Sequence, residues 1–208
     1  MKRKPMLLKK IAGKNFGKGR EVIGLIGTHH GVGVTHTALL LAFYMCEGLG
    51  KKTALLECNE HYDMTLIQKV YEWSLSEENS FSFHQITCYP EVGPNRIAQL
   101  LGGDYDCFIL DFGTDRMANK DEFLRCGTKI VVGGQSEWDR LKLHHFVKAS
   151  ETIRGSDAWL YLIPQANDKT VLKIRKEINC KVLSVPFNQE PTIPSYNTNR
   201  FFGELFRS

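Results

Sequence analysis

The residues best suited to chemistry lie in a glycine-bearing turn between an apolar strand-like segment and an apolar helix-like one. The turn reads GTHHGVGVTHT over residues 27–37 and contains Gly31, Gly33 and Thr35. Glycines let successive backbone N–H groups face one anion, and the N-terminus of the following helix favours negative charge. A threonine hydroxyl at this place could bind Mg²⁺ beside a phosphate. The turn therefore predicts a phosphate-binding loop. A tight turn that binds nothing is the alternative, since glycines alone specify only backbone geometry.

Two acidic residues follow apolar segments further along the chain. The segment TALLE ends at Glu57, and YDCFILDF carries Asp111 near its end. Ligands of parallel sheets bind beyond the carboxyl ends of the strands. We therefore expect Glu57 and Asp111 to lie at this edge of the sheet, where side chains could contact a ligand. The structural alternatives are a turn residue or helix cap for Asp111 and an ion-paired strand end for Glu57.

These residues need a scaffold, and the chain has the pattern of one. Short apolar segments alternate with helix-like segments from residue 21 onward, which predicts βαβ units. We expect an α/β fold with a mainly parallel twisted sheet and helices on both faces, a three-layer sandwich. The expected strands cover residues 21–27, 53–57, 81–89, 105–112, 129–132, 159–163 and 181–185. The expected helices cover residues 35–49, 63–75, 96–101, 138–153 and 171–178.

The order of these elements resembles the MinD/ParA group of deviant Walker-motif P-loop ATPases. Their loop reads K-G-G-x-G-K followed by Ser or Thr, and the resemblance covers residues 21–190. The two lysines fall on His29 and Val34, and the first glycine falls on His30. The second-strand acids of the family fall on Glu57 and Asn59, and its Walker B acid falls on Asp111. The resemblance thus implies that Glu57 is the one weak catalytic candidate, and that Thr35 and Asp111 are the magnesium-side residues if a nucleotide binds. The resemblance implies ATP and Mg²⁺ as cofactors, with contacts from Gly31, Val32, Gly33, Val34, Thr35, His36, Asp111 and Asn167, the last near adenine.

Loss of both lysines changes the expected activity. One charge pair at ~4 Å is worth roughly 4 kcal/mol at an effective dielectric constant near 20, before desolvation. Phosphoryl transfer depends on such charge stabilisation. We therefore expect weak or no nucleotide binding and little hydrolysis, a pseudo-ATPase rather than an enzyme. The alternative is a working ATPase of the partitioning, cell-division or polar-positioning kind, with His29 or His36 in place of lysine. A metal cluster of the loop histidines is disfavoured because no cysteine or fourth ligand is near in sequence.

The charge of the chain is concentrated at one end. The net charge is +4, but residues 1–20 hold eight Lys or Arg and no Asp or Glu. From residue 21 onward, 19 basic residues face 23 acidic ones. A body with this balance is not expected to bind a specific nucleic acid. The alternative, a DNA-associated ParA relative, would use the basic arm.

Both ends could reach a membrane surface. The arm over residues 1–20 mixes basic and apolar side chains, as interfacial segments do. Residues 191–208 are expected to form a linker followed by an amphipathic segment at 197–208, similar to the membrane-targeting tail of some MinD-like proteins. The alternatives are a solvated arm and a last helix folded onto the body.

Together these observations predict a localisation or scaffold factor. The preserved sheet with an eroded loop resembles TadZ/CpaE-type proteins, which position Flp-type pilus or secretion machinery. That resemblance implies a protein partner in a membrane-associated complex, and a cytoplasmic protein that is peripheral at the inner face of the membrane. Any homodimer should be independent of nucleotide, because the lysine that crosses between subunits in the family is replaced by His29.

Overall fold

A computed structural model of the chain describes residues 19–71, 76, 78–115 and 118–206. The strands, numbered in chain order, are β1 (Glu21–Gly27), β2 (Thr53–Glu57), β3 (Phe81–Phe83), β4 (Ile86–Tyr89), β5 (Cys107–Asp111), β6 (Thr128–Val132), β7 (Leu160–Pro164) and β8 (Lys181–Val185). These eight strands form one sheet in the order β3-β4-β2-β5-β1-β6-β7-β8. Every neighbouring pair is parallel except β3 with β4, at one edge. The phosphate-loop strand β1 lies between β5 and β6, so the turn that follows it sits near the middle of the sheet. The predicted α/β fold is confirmed.

The strands are short and mostly buried. The helices are α1 (Val34–Phe43), α2 (Asp63–Val70), α3 (Pro94–Leu100), α4 (Lys120–Arg125), α5 (Glu137–Ser150), α6 (Asp168–Ile178) and α7 (Tyr196–Phe206). A π-helical turn over Tyr44–Gly48 continues α1, and a 3₁₀ turn over Ser156–Ala158 precedes β7.

Helices cover both faces of the sheet and bury separate apolar clusters. On one face, α1, α2 and α7 pack against side chains such as Leu25 and Ile109. On the other face, α3, α4, α5 and α6 pack against side chains such as Phe108 and Val131. This arrangement gives the three layers expected from the sequence. It also explains why most strands read as continuous apolar runs: both faces of the sheet are covered.

One predicted strand is wrong. Residues 81–89 form a hairpin of β3 and β4 rather than a single strand, with Phe83 paired to Ile86 across the turn. His84 occupies the left-handed region at φ 53°, which a two-residue hairpin turn requires. The strand-like alternation continues through the turn, so the sequence pattern conceals the reversal. The short helix α4 was also not predicted.

The C-terminal helix is packed on the body. Phe202, Leu205 and Phe206 are buried, and the Phe202 ring lies 5.6 Å from the ring of Tyr44. Buried Thr198 donates its hydroxyl to Asn188 at 3.1 Å, which ties the helix to the loop after β8. The alternative of a helix folded back is therefore the one observed. In this arrangement the apolar side chains of α7 are in the core, and contact of residues 197–208 with a membrane stays a prediction.

The membrane prediction for the arm over residues 1–20 falls outside the described residues except for Gly19 and Arg20. The Arg20 guanidinium donates to the carbonyl of Leu101 and lies 5.6 Å from the centre of the Phe108 ring. Arg20 is thus attached to the sheet domain. Among the described residues, no helix combines the length and hydrophobicity that crossing a membrane requires.

Candidate functional site

The phosphate-loop backbone has the geometry that its glycines predict. Gly31 and Gly33 adopt φ values of 78° and 91°, which residues with a Cβ rarely adopt. A Cβ at Gly31 would meet no heavy atom within 4 Å, so backbone conformation rather than space selects glycine there. The N–H of Thr37 donates to the carbonyl of Gly33 at 3.0 Å. The N–H groups that precede it at the start of α1 have no acceptor within the helix and are suited to bind an anion.

The second lysine position of the loop is part of the core. Val34 is 5% exposed and belongs to the cluster under α1. A Cβ placed on Gly27 would lie 2.6 Å from Cγ2 of Val34, so these two residues pack directly against each other. The side chain at this position therefore stabilises the turn from inside and provides no charge.

The first lysine position is held by the domain's own residues. His29 Nε2 lies 2.9 Å from Oδ1 of Asp139, and His29 Nδ1 lies 2.8 Å from the hydroxyl of Thr28. The side chain of His29 is 17% exposed. Burial lowers the pKa of His29, and the positive charge of Lys142 lowers it further. The Asp139 carboxylate acts in the opposite direction and raises this pKa. In this position His29 connects the loop to the start of α5 and does not extend away from the domain.

The helix start that receives His29 is itself capped. Ser136 accepts a hydrogen bond from the N–H of Asp139 at 3.2 Å and donates its hydroxyl to Oδ2 of the same residue at 2.5 Å. A carboxylate in the first turn also interacts favourably with the helix dipole. The contacts with Ser136 therefore hold the Asp139 carboxylate in position for its contact with the loop.

Thr35 lies between two carboxylates. Its hydroxyl donates to Oδ2 of Asp63, the first residue of α2, at 3.1 Å. Asp111 is fully buried at the end of β5, and its Oδ1 accepts the N–H of Gly113 at 2.9 Å. Burial raises the pKa of Asp111, and the neighbouring Thr35 hydroxyl and Gly113 N–H only partly oppose it. Oδ2 of Asp111 is buried and has no hydrogen-bond partner among the described residues.

These groups fit a magnesium ion better than they fit a free polyphosphate. Mg²⁺ is bound in proteins by carboxylate and hydroxyl oxygens together with water and phosphate. Thr35, Asp63 and the unpartnered oxygen of Asp111 are donors of that kind. The loop N–H groups suit a phosphate, but no Lys or Arg is among the residues that line the loop cavity.

The loop cavity has a volume of about 280 Å³ and contains two histidines that contact each other. The rings of His30 and His61 are 5.1 Å apart and nearly perpendicular. His36 lines the same cavity, and its Nε2 lies 2.8 Å from the carbonyl oxygen of Asn188. Of the predicted contacts, Gly31, Val32, Gly33, Val34, Thr35 and His36 all line it.

Glu57 is engaged by the backbone. It is 1% exposed, and its two carboxylate oxygens accept the N–H groups of Met64 at 3.0 Å and Glu91 at 3.4 Å. Burial raises its pKa, and these two N–H groups oppose the rise. In this position Glu57 fixes the start of α2 and the loop before α3. A direct role in hydrolysis stays a prediction.

Asn59, at the other acid position of the family, is also engaged by the backbone. Its Nδ2 donates to the carbonyl of Asp111 at 3.0 Å, and its Oδ1 accepts the N–H of His61 at 2.9 Å. Asn59 thus connects the loop after β2 to the end of β5, and this contact holds His61 near the phosphate loop.

Asn167 caps a helix next to the site. It is exposed, and its Oδ1 accepts the N–H of Thr170 at 2.9 Å at the start of α6. It follows β7, whose last residue, Pro164, would lie 3.9 Å from a Cβ on Gly33. Asn167 is not among the residues that line the loop cavity. Its contact with adenine stays a prediction.

Sequence reasoning missed three residues of this site: Asp63, His61 and Asp139. Asp63 was assigned only as the start of a helix, although an acid just beyond the second strand is at the correct edge of the sheet. His61 also lies just beyond the second strand, so its place in the chain was a signal of the same kind. Asp139 is more than 100 positions from His29, and no local pattern connects them.

Comparison with known proteins gives a match in structure only. No protein-family model matches the chain, and no curated protein matches it in sequence. A ParA family ATPase from Chlorobium tepidum aligns with a TM-score of 0.65 at 14% identity, over 92% of this chain and 96% of that one. A putative plasmid partition protein from Borrelia burgdorferi bound to AMPPNP gives 0.66 at 14% identity, over 90% and 97%.

A third solved structure extends the comparison to cell division. A chain of the MinC:MinD cell division protein complex from Aquifex aeolicus aligns with a TM-score of 0.62 at 15% identity, over 86% of each chain. Structural alignments at identities this low establish the architecture of the chain and leave its activity open. The chain therefore has the fold of the ParA- and MinD-type P-loop ATPases.

Proposed function

We propose that the chain is a degenerate relative of these ATPases that acts as a localisation or scaffold factor, with weak nucleotide binding at most and little hydrolysis. The phosphate loop keeps its shape, through Gly31 and Gly33, and its magnesium-side residues, Thr35 and Asp111. It lacks cationic side chains. A loop of this kind can hold a phosphate weakly but does little to stabilise the transition state of phosphoryl transfer.

The observation that carries the proposal is the position of the two side chains that replace lysine. Val34 is buried in the core, and His29 is bound to Asp139 of its own domain. Neither is free to contact a phosphate. Because the side chains of Val34 and His29 both stabilise the fold, we infer that the loop is kept as a structural element of the domain.

Solved structures with this fold support a role in assembly. One of them is a MinC:MinD complex, in which the ATPase fold is bound to a second protein. In this chain Leu66 and Val70 on α2, next to the loop, are 56% and 76% exposed. Exposed apolar surface of this kind is common at protein contacts. We propose a protein partner in a membrane-associated assembly, of the kind that TadZ/CpaE-type factors serve in pilus or secretion machinery.

A phosphate-release assay tests the low activity. The purified full chain is incubated with ATP and Mg²⁺ beside Asp111→Ala and a control, Asp168→Ala, which removes an exposed acid on α6. We expect all three proteins to release phosphate at the background rate. Turnover that survives in the control and is lost in Asp111→Ala would establish a working ATPase and refute the proposal.

Self-association provides a second test. Because His29 is held by Asp139, we propose that it does not cross to a second copy and that any homodimer forms without nucleotide. Light scattering should give the same mass with and without ATP and Mg²⁺. A dimer that appears only with ATP would contradict this part of the proposal.

A further inference from the structure

A larger cavity lies at the carboxyl edge of the sheet, beside the loop cavity but outside the phosphate loop. It has a volume of about 570 Å³, and residues from the loops after β2, β4 and β5 line it. None of the described residues that line it belongs to the glycine turn over residues 27–37. His61 and Thr114 line both cavities. A cavity of this size is in the range of those that hold small organic molecules.

The strand order explains why the cavity forms at this place. β2 lies between β4 and β5 in the sheet. The chain leaves β2 for α2 on one face of the sheet, whereas it leaves β4 and β5 for α3 and α4 on the other face. Loops that diverge in this way leave a crevice beyond the strand ends, where the ligands of such sheets bind. The cavity therefore occupies a binding position that does not depend on the phosphate loop.

The floor of the cavity is apolar and belongs to the core. Cys58, Val92 and Phe112 line it and are 1%, 3% and 1% exposed. Tyr62 also lines it and is 49% exposed, so this ring is nearer the surface. Such side chains suit the hydrocarbon part of a ligand, and the polar groups around them determine its charge.

The polar groups of the cavity are mostly hydrogen-bond acceptors. Glu60 and Glu91 are exposed acids on the loops after β2 and β4, and no Lys or Arg is among the described residues that line the cavity. The Glu91 carboxylate accepts the hydroxyl of Thr65 at 2.9 Å, which is a neutral donor. Oδ1 of Asn119 is buried and has no hydrogen-bond partner among the described residues. A lining of this kind favours a ligand that carries positive charge and N–H donors.

Two turns at the cavity hold side chains on a backbone that favours glycine. Tyr62 and Glu91 adopt φ values of 60° and 52°. Residues other than glycine are uncommon in this region, and such strain persists where the surrounding structure imposes it, as at ligand sites. The loops after β2 and β4 thus keep an aromatic ring and a carboxylate at the cavity where glycine would be less strained.

We propose that this cavity binds a small organic cation, a primary amine with a compact apolar body. The ammonium group lies by the carboxylates of Glu60 and Glu91, and the apolar body packs on the floor formed by Cys58, Val92 and Phe112. Hydrogen bonds between an ammonium group and a carboxylate are roughly twice as strong as neutral ones. Binding of this kind needs neither the phosphate loop nor a nucleotide, so it is separate from the scaffold role.

The experiment titrates benzylamine into the isotope-labelled full chain without nucleotide and follows the amide signals by nuclear magnetic resonance. Benzyl alcohol and benzoate provide the same ring with no charge and with a negative charge. We expect saturable shifts at amides of the cavity loops, such as those of His61, Gly93 and Asn119. The dissociation constant should be about 1 mM, as expected for a ligand of this size. Benzyl alcohol should bind about tenfold more weakly or worse, and benzoate should not bind.

Glu91→Gln tests the charge of the site. It removes one negative charge and keeps an oxygen that can accept the Thr65 hydroxyl. The dissociation constant for benzylamine should rise by about tenfold, because a charged hydrogen bond is replaced by a neutral one. Glu47→Gln is the matched control, since Glu47 is an exposed acid in the π-helical turn at the far end of α1. Its affinity for benzylamine should equal that of the wild type.

Absence of shifts at the cavity amides with millimolar benzylamine would overturn the proposal, as would shifts confined to other parts of the chain. Equal affinity for benzylamine and benzyl alcohol would also overturn it. Glu60→Gln is a second variant should Glu91→Gln fail to fold, and it must weaken binding as well. Because no ATP is present, amine binding and phosphate release are measured separately, and failure of one leaves the other standing.

Discussion

Restoring the loop lysine is the most direct test of the eroded site, and Val34→Lys is the variant that does it. A lysine at position 34 could approach a bound phosphate. The side chains now at the two lysine positions, His29 and Val34, make no such contact. One charge pair at ~4 Å is worth about 4 kcal/mol at an effective dielectric constant near 20, before desolvation. A charged hydrogen bond nets about 1.5–3 kcal/mol in practice. Because about 1.4 kcal/mol is tenfold in affinity, we expect Val34→Lys to bind Mg-ATP ten- to a hundredfold more tightly.

The gain has a cost in stability that the structure also defines. Val34 is 5% exposed and packs on Gly27, and burying a valine is worth about 1.5–3 kcal/mol. Overpacking by the longer lysine adds to this loss. The free energy of unfolding should therefore fall by about 2–4 kcal/mol in denaturant titration.

Val34→Met separates charge from packing. Methionine is long and unbranched like the stem of lysine but carries no charge, so it reproduces the overpacking, at about 1–3 kcal/mol, without the charge. Calorimetry with Mg-ATP compares the three proteins, and circular dichroism checks that each is folded. A folded Val34→Lys that binds Mg-ATP no more tightly than Val34→Met would refute the argument that missing charge limits this site.

Three further perturbations test other parts of the structure. Phe202→Ala should lower the free energy of unfolding by about 3–5 kcal/mol in denaturant titration, since Phe202 is fully buried; a change near zero would mean that α7 does not pack on the body in solution. Gly33→Ala should cost about 1–2 kcal/mol in the same assay, because φ is 91° there, whereas Gly19→Ala, at an exposed position, should be neutral. Glu57→Gln tests a pKa. Burial raises the pKa of Glu57 above its ordinary 4.5, so the wild type loses stability as the pH rises through that raised pKa. The stability difference should therefore move in favour of Glu57→Gln above about pH 4.5, and a difference that does not vary with pH would show that Glu57 titrates normally.

Much of the sheet could be predicted because its strands are buried on both faces. A segment such as Thr53–Glu57 has five buried residues in succession and reads as a strand with no help from its neighbours. The hairpin at residues 81–89 could not be predicted in this way. Its reversal depends on His84 in the left-handed region, which the sequence signals with neither Gly nor Asn.

The site was predictable where its residues are close in the chain and not where they meet through the fold. Gly31, Gly33 and Thr35 form a local pattern. The bonds of Asp63 to Thr35 and of Asp139 to His29 join residues far apart in sequence, and only the order of strands and helices brings them together. The residues around the glycine turn therefore do not indicate Asp63 or Asp139, the two carboxylates that set the electrostatics of the loop.

The contact between His29 and Asp139 has a practical consequence. Trp138 precedes Asp139 at the start of α5 and is 68% exposed, whereas Trp159 is 4% exposed. An indole at the water boundary changes its emission when the chain around it moves, and a buried one responds less. If a ligand shifts the phosphate loop, His29 moves with it and displaces Asp139. The surroundings of the adjacent Trp138 then change. We therefore expect the part of the intrinsic fluorescence that comes from Trp138 to report events at the loop, with no label attached.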